Sequence, residues 1–193
     1  TRHSLGPSEL GSLFLCPNHR DQGVGRLLSL GRFLFIYAFS QFFTSVIIAE
    51  LRGFLYKNNV SPIWNMLGKK FIPMSFNQAD LVSVHNVDFI EQYFPKHPIY
   101  LNLLSPLLLK YFKRVHPNTE PAKRLLLSEG FSVTNYVDIF DGGPVLSNVV
   151  SKIRTCSLLK QTTLSDYNFS GSNYLAPYFF QNCQNDSYLI SSE

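Results

Sequence analysis

The sequence predicts an α/β chain in which helices and strands alternate. Three observations carry this. The chain has 193 residues, 45% of them hydrophobic and 16% charged, which supports one good-sized domain or two small ones sharing a core. A strand, a glycine-rich loop, a helix and a second strand follow one another between Leu13 and Glu50. Further along, two stretches each pair a proline-started helix with an aromatic strand.

Leu13-Phe14-Leu15 is a short apolar run followed by Pro17, which predicts a strand ending in a turn. The stretch HRDQGVGRLLSLGRFLFI begins at His19 and leads into a helix predicted from about Val24 to Phe42. Val46-Ile47-Ile48-Ala49-Glu50 predicts a strand, closed by Gly53. Ser61-Pro62 has the form of an N-cap with proline in the first turn, and Gly68 is a C-terminal stop. A strand is expected near Lys70 to Phe76, and a helical turn or more between Asp88 and Tyr93. Ser105-Pro106 predicts a helix to about Arg114. Thr119-Glu120-Pro121 caps another, which Gly130 ends, before a strand from Phe131 to about Phe140 and a turn at Asp141-Gly142-Gly143-Pro144. The stretches SPIWNMLGKKFIPMSF and EPAKRLLLSEGFSVTNY echo each other as a repeated helix–strand unit or as ordinary helix punctuation. The tail from Thr155 is rich in Ser, Asn, Gln and Tyr with weak periodicity, a composition compatible with partial disorder.

The net charge of +4, from 17 basic against 13 acidic residues, favours small anionic ligands mildly. No run of Lys and Arg forms a stripe, so nucleic acid is not an expected partner. Cys16, Cys156 and Cys183 are odd in number, lack a CxxC pair and offer no zinc spacing, so reduced thiols in a cytoplasmic protein are expected and no metal. Leu27 to Ile48 is apolar enough to raise a membrane span, but Arg32 lies inside it and Ser40, Gln41, Thr44 and Ser45 cluster near its end. A helix followed by a strand describes it better, and no membrane association is expected.

Arg20-Asp21-Gln22-Gly23-Val24-Gly25 stands between strand and helix. The first N–H groups of a helix have no partner within it, and glycine lets an anion come close to them. The helix dipole adds partial positive charge, so the loop suits a pyrophosphate that Arg20 can also contact. A plain glycine-rich turn before a core helix is the alternative. Neither G-x-G-x-x-G nor a P-loop pattern is present. The pattern here, R-x-x-G-x-G after a strand, resembles motif A of the GNAT acyltransferases, whose loop amides hold the pyrophosphate of coenzyme A.

A longer match is more specific. GPSELGSLFLCPNHRDQGVGRLLSLGRFLFI, IIAELRG, SPIWNMLGKKFIPMSFNQAD, FPKHPIY, VHPNTEPAKRLLLSEGF and NYVDIFDGGP occur in this order. Together, over about residues 5 to 147, they resemble the arginine N-succinyltransferases, the AstA family of bacterial arginine catabolism. The resemblance implies a GNAT-like mixed-sheet fold and transfer of succinyl from succinyl-CoA to the α-amino group of L-arginine, the first step of the succinyltransferase pathway. Members have a long N-terminal portion carrying the first strands of the sheet, so this chain is expected to be a truncated, partial version. The expected division is 1–85, an acyl-CoA-binding portion; 86–154, a second acyltransferase-like half; and 155–193, a divergent tail.

The resemblance implies that His116 in RVHPNTEP is the proton donor. Independently, histidine in a proline-flanked loop is suited to proton transfer, though such a residue can equally serve only to bond backbone. His97 in PKHPIY ranks second, as a positioning or structural residue. The resemblance also implies that Leu13 contacts succinyl-CoA, through its main chain beside the pantetheine arm. Arg20, Gln22, Gly23, Val24, Gly25 and Arg26 are expected to bind the cofactor's pyrophosphate. Charge matching adds Arg52, Lys96 and Arg32 for the substrate carboxylates, and Glu50, Asp138 and Asp141 for a guanidinium; each can equally be a structural ion.

Two other functions compete: a related acyltransferase using ornithine or another acyl-CoA, and a truncated, non-catalytic fragment or subunit. The helix from Val24 is apolar around much of its circumference, through Leu27, Leu28, Leu30, Phe33, Leu34, Phe35, Ile36 and Phe39. Such a helix expects cover on most sides, and the strand before it would offer an open edge. The chain alone is therefore expected to be oligomeric, or paired with a homologous subunit.

Overall fold

A computed structural model describes residues 6–20, 23–86, 88–163, 181–182 and 187–190. The elements are β1 (Ser8–Glu9), α1 (Val24–Ala38), β2 (Val46–Glu50), α2 (Pro62–Met66), α3 (Phe76–His85), α4 (Phe89–Tyr93), α5 (Pro106–Leu109), α6 (Glu120–Ser128), β3 (Ser132–Val137), β4 (Pro144–Val149), α7 (Arg154–Ser157), β5 (Lys160–Thr163), β6 (Gln181–Asn182) and β7 (Ser187–Ile190). Four strands form a sheet in the order β1-β2-β4-β3, and three more form a second sheet, β5-β7-β6. β1 runs parallel to β2, with Ser8 opposite Ile47, while β3 and β4 meet through the turn at Asp138 to Gly143. The alternating α/β architecture and the mixed sheet agree with the expectation from sequence.

The chain divides into two compact units, one of residues 1–48, 125–132 and 147–193, the other of residues 49–124 and 133–146. In the first unit, Phe33, Leu34 and Ile36 of α1 are buried with Ile47, Leu126, Phe131, Ile153 and Cys156. Phe33 and Phe131 meet at 5.8 Å between ring centres. The buried Glu129 organises the turns around it: Oε2 accepts from the Thr155 N–H at 2.8 Å, and its carbonyl accepts from Arg154 N–H and Asn148 Nδ2. In the second unit, Leu55, Trp64, Ile72, Phe76, Ala79 and Phe89 form the core, with Phe94 and Phe140 packed against it. Trp64 stacks on Phe140 and donates from Nε1 to the Met74 carbonyl at 2.9 Å.

Several local expectations hold. β2 spans Val46–Glu50 as read, and the Ser61 hydroxyl caps α2 by accepting from the Trp64 N–H. α1 starts at Val24 but stops at Ala38, and a 3-10 turn over Ser40–Phe42 takes up the rest of the predicted helix.

Others are corrected. The strand near the N-terminus is Ser8–Glu9, not Leu13–Leu15, because the ladder to β2 is made there; Phe14 is 75% exposed and carries no strand pairing. No strand forms between Lys70 and Phe76. A 3-10 turn over Gly68–Lys70 leads to α3, which Ser75 and Gln78 start with a reciprocal capping box. The first of the two echoing stretches therefore lacks its strand, and only the second gives a helix and a strand, α6 and β3. α5 ends at Leu109 rather than Arg114, and Lys113 adopts φ +61°. β4 had no counterpart in the sequence reading. Of the tail, β5, β7 and β6 pair antiparallel; residues 164–180, 183–186 and 191–193 lie outside the described residues. No described helix is long and apolar enough to cross a membrane.

Candidate functional site

In the first unit the glycine loop meets α1. Gly23 is the N-cap, with φ +78°, a left-handed conformation that glycine adopts without strain. Among the described residues no side chain caps the helix, and its first turn holds no acidic residue, so the leading N–H groups are left for another acceptor. A Cβ at Gly23 would meet nothing within 4 Å, so the approach is open. Gly25 faces inward enough that a Cβ there would touch the Leu15 side chain at 3.5 Å. Arg20 Nε donates to the Leu15 carbonyl at 3.2 Å, which ties this cation to the strap that precedes the loop. Val24 is half-buried, and Arg26 and Leu13 are exposed. Gln22 lies outside the described residues.

The other predicted residues fall in the second unit. Here Gly53 and Val115 form a β-bridge, and the His116 N–H donates to the Arg52 carbonyl at 2.9 Å. In such a pairing Arg52 and His116 stand opposite each other and project to the same side. His116 caps the 3-10 turn Pro117–Thr119, its Nδ1 accepting from the Asn118 N–H at 3.2 Å. A neutral imidazole whose Nδ1 accepts must carry its proton on Nε2. The ring is half-buried.

The Arg52 guanidinium lies over the Phe76 ring at 4.8 Å. It pairs through Nε with Asp141 and through Nη2 with Asp80, each at 3.4 Å. Asp141 is buried, and its Oδ1 accepts from the Gly143 N–H at 2.8 Å. Burial pushes the Asp141 carboxyl up to about 6, helped by the charge of Asp138; the backbone N–H groups of Gly143 and Gly53 and the Arg52 cation only partly offset this. Asp138 is committed to the turn, its Oδ1 accepting from the N–H groups of Phe140 and Asp141. Gly143 admits the chain at this point, because a Cβ there would collide with the Leu51 carbonyl. Glu50 is exposed at the end of β2, and Lys96 and His97 are exposed between α4 and the 3-10 turn Leu101–Leu103.

The structure thus joins Arg52, Asp141 and the His116 backbone in one cluster and leaves His97 outside it. Asp80 and Phe76 belong to that cluster and were missed by sequence reasoning. Their signal was the Ser75-x-x-Gln78 capping box, which starts the helix that presents them. A cavity of about 470 Å³ was also missed; it is lined by Phe54, Arg114, Val115, Pro117, Glu120, Lys123 and Arg124. Arg114 lies over the Phe54 ring at 4.1 Å there.

Comparison with known proteins bears on both regions. A family model described as arginine N-succinyltransferase beta subunit matches residues 1–155. The arginine N-succinyltransferase of Enterobacter sp. (strain 638) is 43% identical over 162 residues, 83% of this chain and 47% of that protein. That of Escherichia coli O139:H28 (strain E24377A) is 45% identical over 150 residues, 77% of this chain and 44% of that one. Among solved structures, arginine/ornithine succinyltransferase subunit AI from Pseudomonas aeruginosa superposes with a TM-score of 0.72 at 29% identity, over 82% of this chain and 45% of that one. The chain spans a little under half the length of these relatives.

Proposed function

The chain belongs to the arginine N-succinyltransferase beta subunit family, and from that premise we propose that it serves the transfer of a succinyl group from succinyl-CoA to the α-amino group of L-arginine. The observation that carries this is the open, uncapped start of α1 behind Gly23, an anion seat of the kind a coenzyme A pyrophosphate requires. In this reading residues 1–85 are the acyl-CoA-binding portion and 86–154 the portion bearing the proton donor. The main chain at Leu13 runs beside the pantetheine arm, while Arg20, Val24, Gly25 and Arg26 surround the pyrophosphate.

The amine nitrogen attacks the thioester carbonyl; the C–N bond forms, the C–S bond breaks, and the departing thiolate takes a proton. His116 is the donor in this proposal. Donation from Nε2 requires the imidazolium, in which the Nδ1 contact to the Asn118 N–H is given up; the proton that the attacking amine sheds supplies it, so the ring ends neutral as it began. Arg52, oriented by Asp141 and Asp80, stands on the same side of the bridge as His116. We assign it to positioning a substrate carboxylate. A cytoplasmic site of action fits the free thiols of Cys16 and Cys156. Ornithine is a second acceptor to consider, since the Pseudomonas aeruginosa neighbour is described as an arginine/ornithine succinyltransferase subunit.

Calorimetric titration with coenzyme A and succinyl-CoA tests the proposal. Gly25→Asp, which puts a carboxylate at the anion seat, should abolish binding of both while the circular dichroism spectrum is unchanged. Wild-type affinity in this variant would overturn the assignment of the loop.

A further inference from the structure

The cavity of about 470 Å³ in the second unit lies against the same β-bridge as His116. The Phe54 N–H donates to the Arg114 carbonyl and the His116 N–H to the Arg52 carbonyl, each at 2.9 Å. Side chains alternate along extended chain, so Arg52, Phe54, Arg114 and His116 project from one side of the bridge. Arg114 and His116 are two residues apart, a spacing of about 6.5 Å in such a strand. The Arg114 guanidinium lies over the Phe54 ring at 4.1 Å, which fixes its plane and leaves its N–H edge clear. Among the described residues that edge donates no hydrogen bond and joins no ion pair. Lys123 and Arg124 of α6 bring two more cations to the cavity and Glu120 one acid, and none of these pairs with another among the described residues. Three cations against one acid leave a net charge of +2.

We propose that this cavity receives the carboxylate of the succinyl group while the thioester carbonyl lies at His116, and that Arg114 selects an acyl donor with a terminal carboxylate. The inference rests on the succinyltransferase reading and deepens it. Three C–C bonds separate the thioester carbon of a succinyl group from its carboxylate carbon, a reach of about 4 Å when extended. A charge-assisted hydrogen bond of about 2.8 Å at the far end brings the span close to the spacing of Arg114 and His116. Phe54 and Pro117 give the two methylenes an apolar wall. L-Arginine fits the cavity less well, because its own guanidinium is repelled by a net positive charge. The Arg52 cluster suits that substrate better, since it offers the carboxylate of Asp80 beside a cation.

Calorimetric titration with succinyl-CoA and butyryl-CoA tests the proposal. The two share the nucleotide and the four-carbon acyl chain, and differ by a carboxylate against a methyl group. The chain should bind succinyl-CoA at least about tenfold more tightly. Arg114→Met should remove most of that preference, Arg114→Lys should keep part of it, and Glu120→Gln should increase it. Equal affinity of the two donors, or a preference unchanged in Arg114→Met, overturns the proposal. So does an equal loss for both donors in Arg114→Met, which assigns the cavity to a coenzyme A phosphate. Succinamate carries no nucleotide and makes no use of the Gly23 loop. At millimolar concentration it should shift the His116 ring resonances in the wild type and not in Arg114→Met. That shift without binding of either acyl-CoA removes the loop assignment and keeps the cavity. No shift, or the same shift from sodium chloride at matched ionic strength, overturns the cavity assignment whatever the loop does.

Discussion

Gly25 and Gly143 read alike in the sequence, each part of a short glycine-containing turn next to a regular element, and the structure uses them in opposite ways. At Gly25 a Cβ would find an ordinary contact with Leu15, and at its neighbour Gly23 empty space. At Gly143 it would strike the Leu51 carbonyl. The first region keeps room for something to arrive. The second spends its glycine on bringing two backbone segments together, so that Asp141 can hold both the Gly143 N–H and Arg52. An open loop is thus marked by absence of contact, and a positioned ion pair by excess of it.

The contrast can be broken or sharpened in four ways. The largest effect is expected at the crowded side. His116→Ala should lower kcat by a factor of about 10² to 10⁴ with little change in KM, measured in a succinyl-CoA and arginine assay. A kcat within a few-fold of wild type would move the donor role elsewhere, with His97 next. Gly143→Ala should cost at least about 3 kcal/mol, or prevent folding, since backbone must move to admit the methyl. Urea denaturation measures it, and a loss under 1 kcal/mol would show that the turn yields.

Asp141→Asn should alter the pH dependence of stability. The folded carboxyl is raised from 3.8 to about 6, so the folded state binds the extra proton. Its contribution is fully present below about pH 4 and fades as pH rises through 6, by an amount on the order of 1–3 kcal/mol. Thermal denaturation between pH 4 and 7 should therefore slope less in the variant, and an unchanged slope refutes the assignment. The smallest effect is expected at the open side. Gly25→Ala should leave stability within about 1 kcal/mol of wild type, and on the stabilising side, because alanine is the better helix former and its methyl has room. A clear loss of stability would mean that the loop is packed after all.

What sequence could show was local. The hydroxyl and proline of Ser61-Pro62, the β-branched run of Val46–Glu50 and the glycine start of α1 each act within a few residues, and each was found where expected. The strand expected at Lys70 to Phe76 failed because Phe71 and Ile72 are apolar for a different reason, as core contacts around Trp64, while a capping box that begins three residues on, at Ser75, starts a helix. β4 was hidden because its first residues are buried on both faces and show no alternation. Asp80 meets Arg52 across 28 positions and Glu129 meets Thr155 across 26, distances over which spacing carries no signal. Of the candidate site, the glycine loop and His116 were legible through motif and resemblance; the geometry that ties Arg52 to Asp141 was not.

The one tryptophan of the chain, Trp64, is wholly buried in the unit formed by residues 49–124 and 133–146. The other unit holds Cys156, a buried thiol raised to about 12, first by burial and then by the charge of Glu129, and bonded to the Phe33 carbonyl. Indole emission therefore reports on the first of these environments and slow thiol alkylation at Cys156 on the second. The polypeptide comes supplied with an optical and a chemical clock, one for each half of its own unfolding.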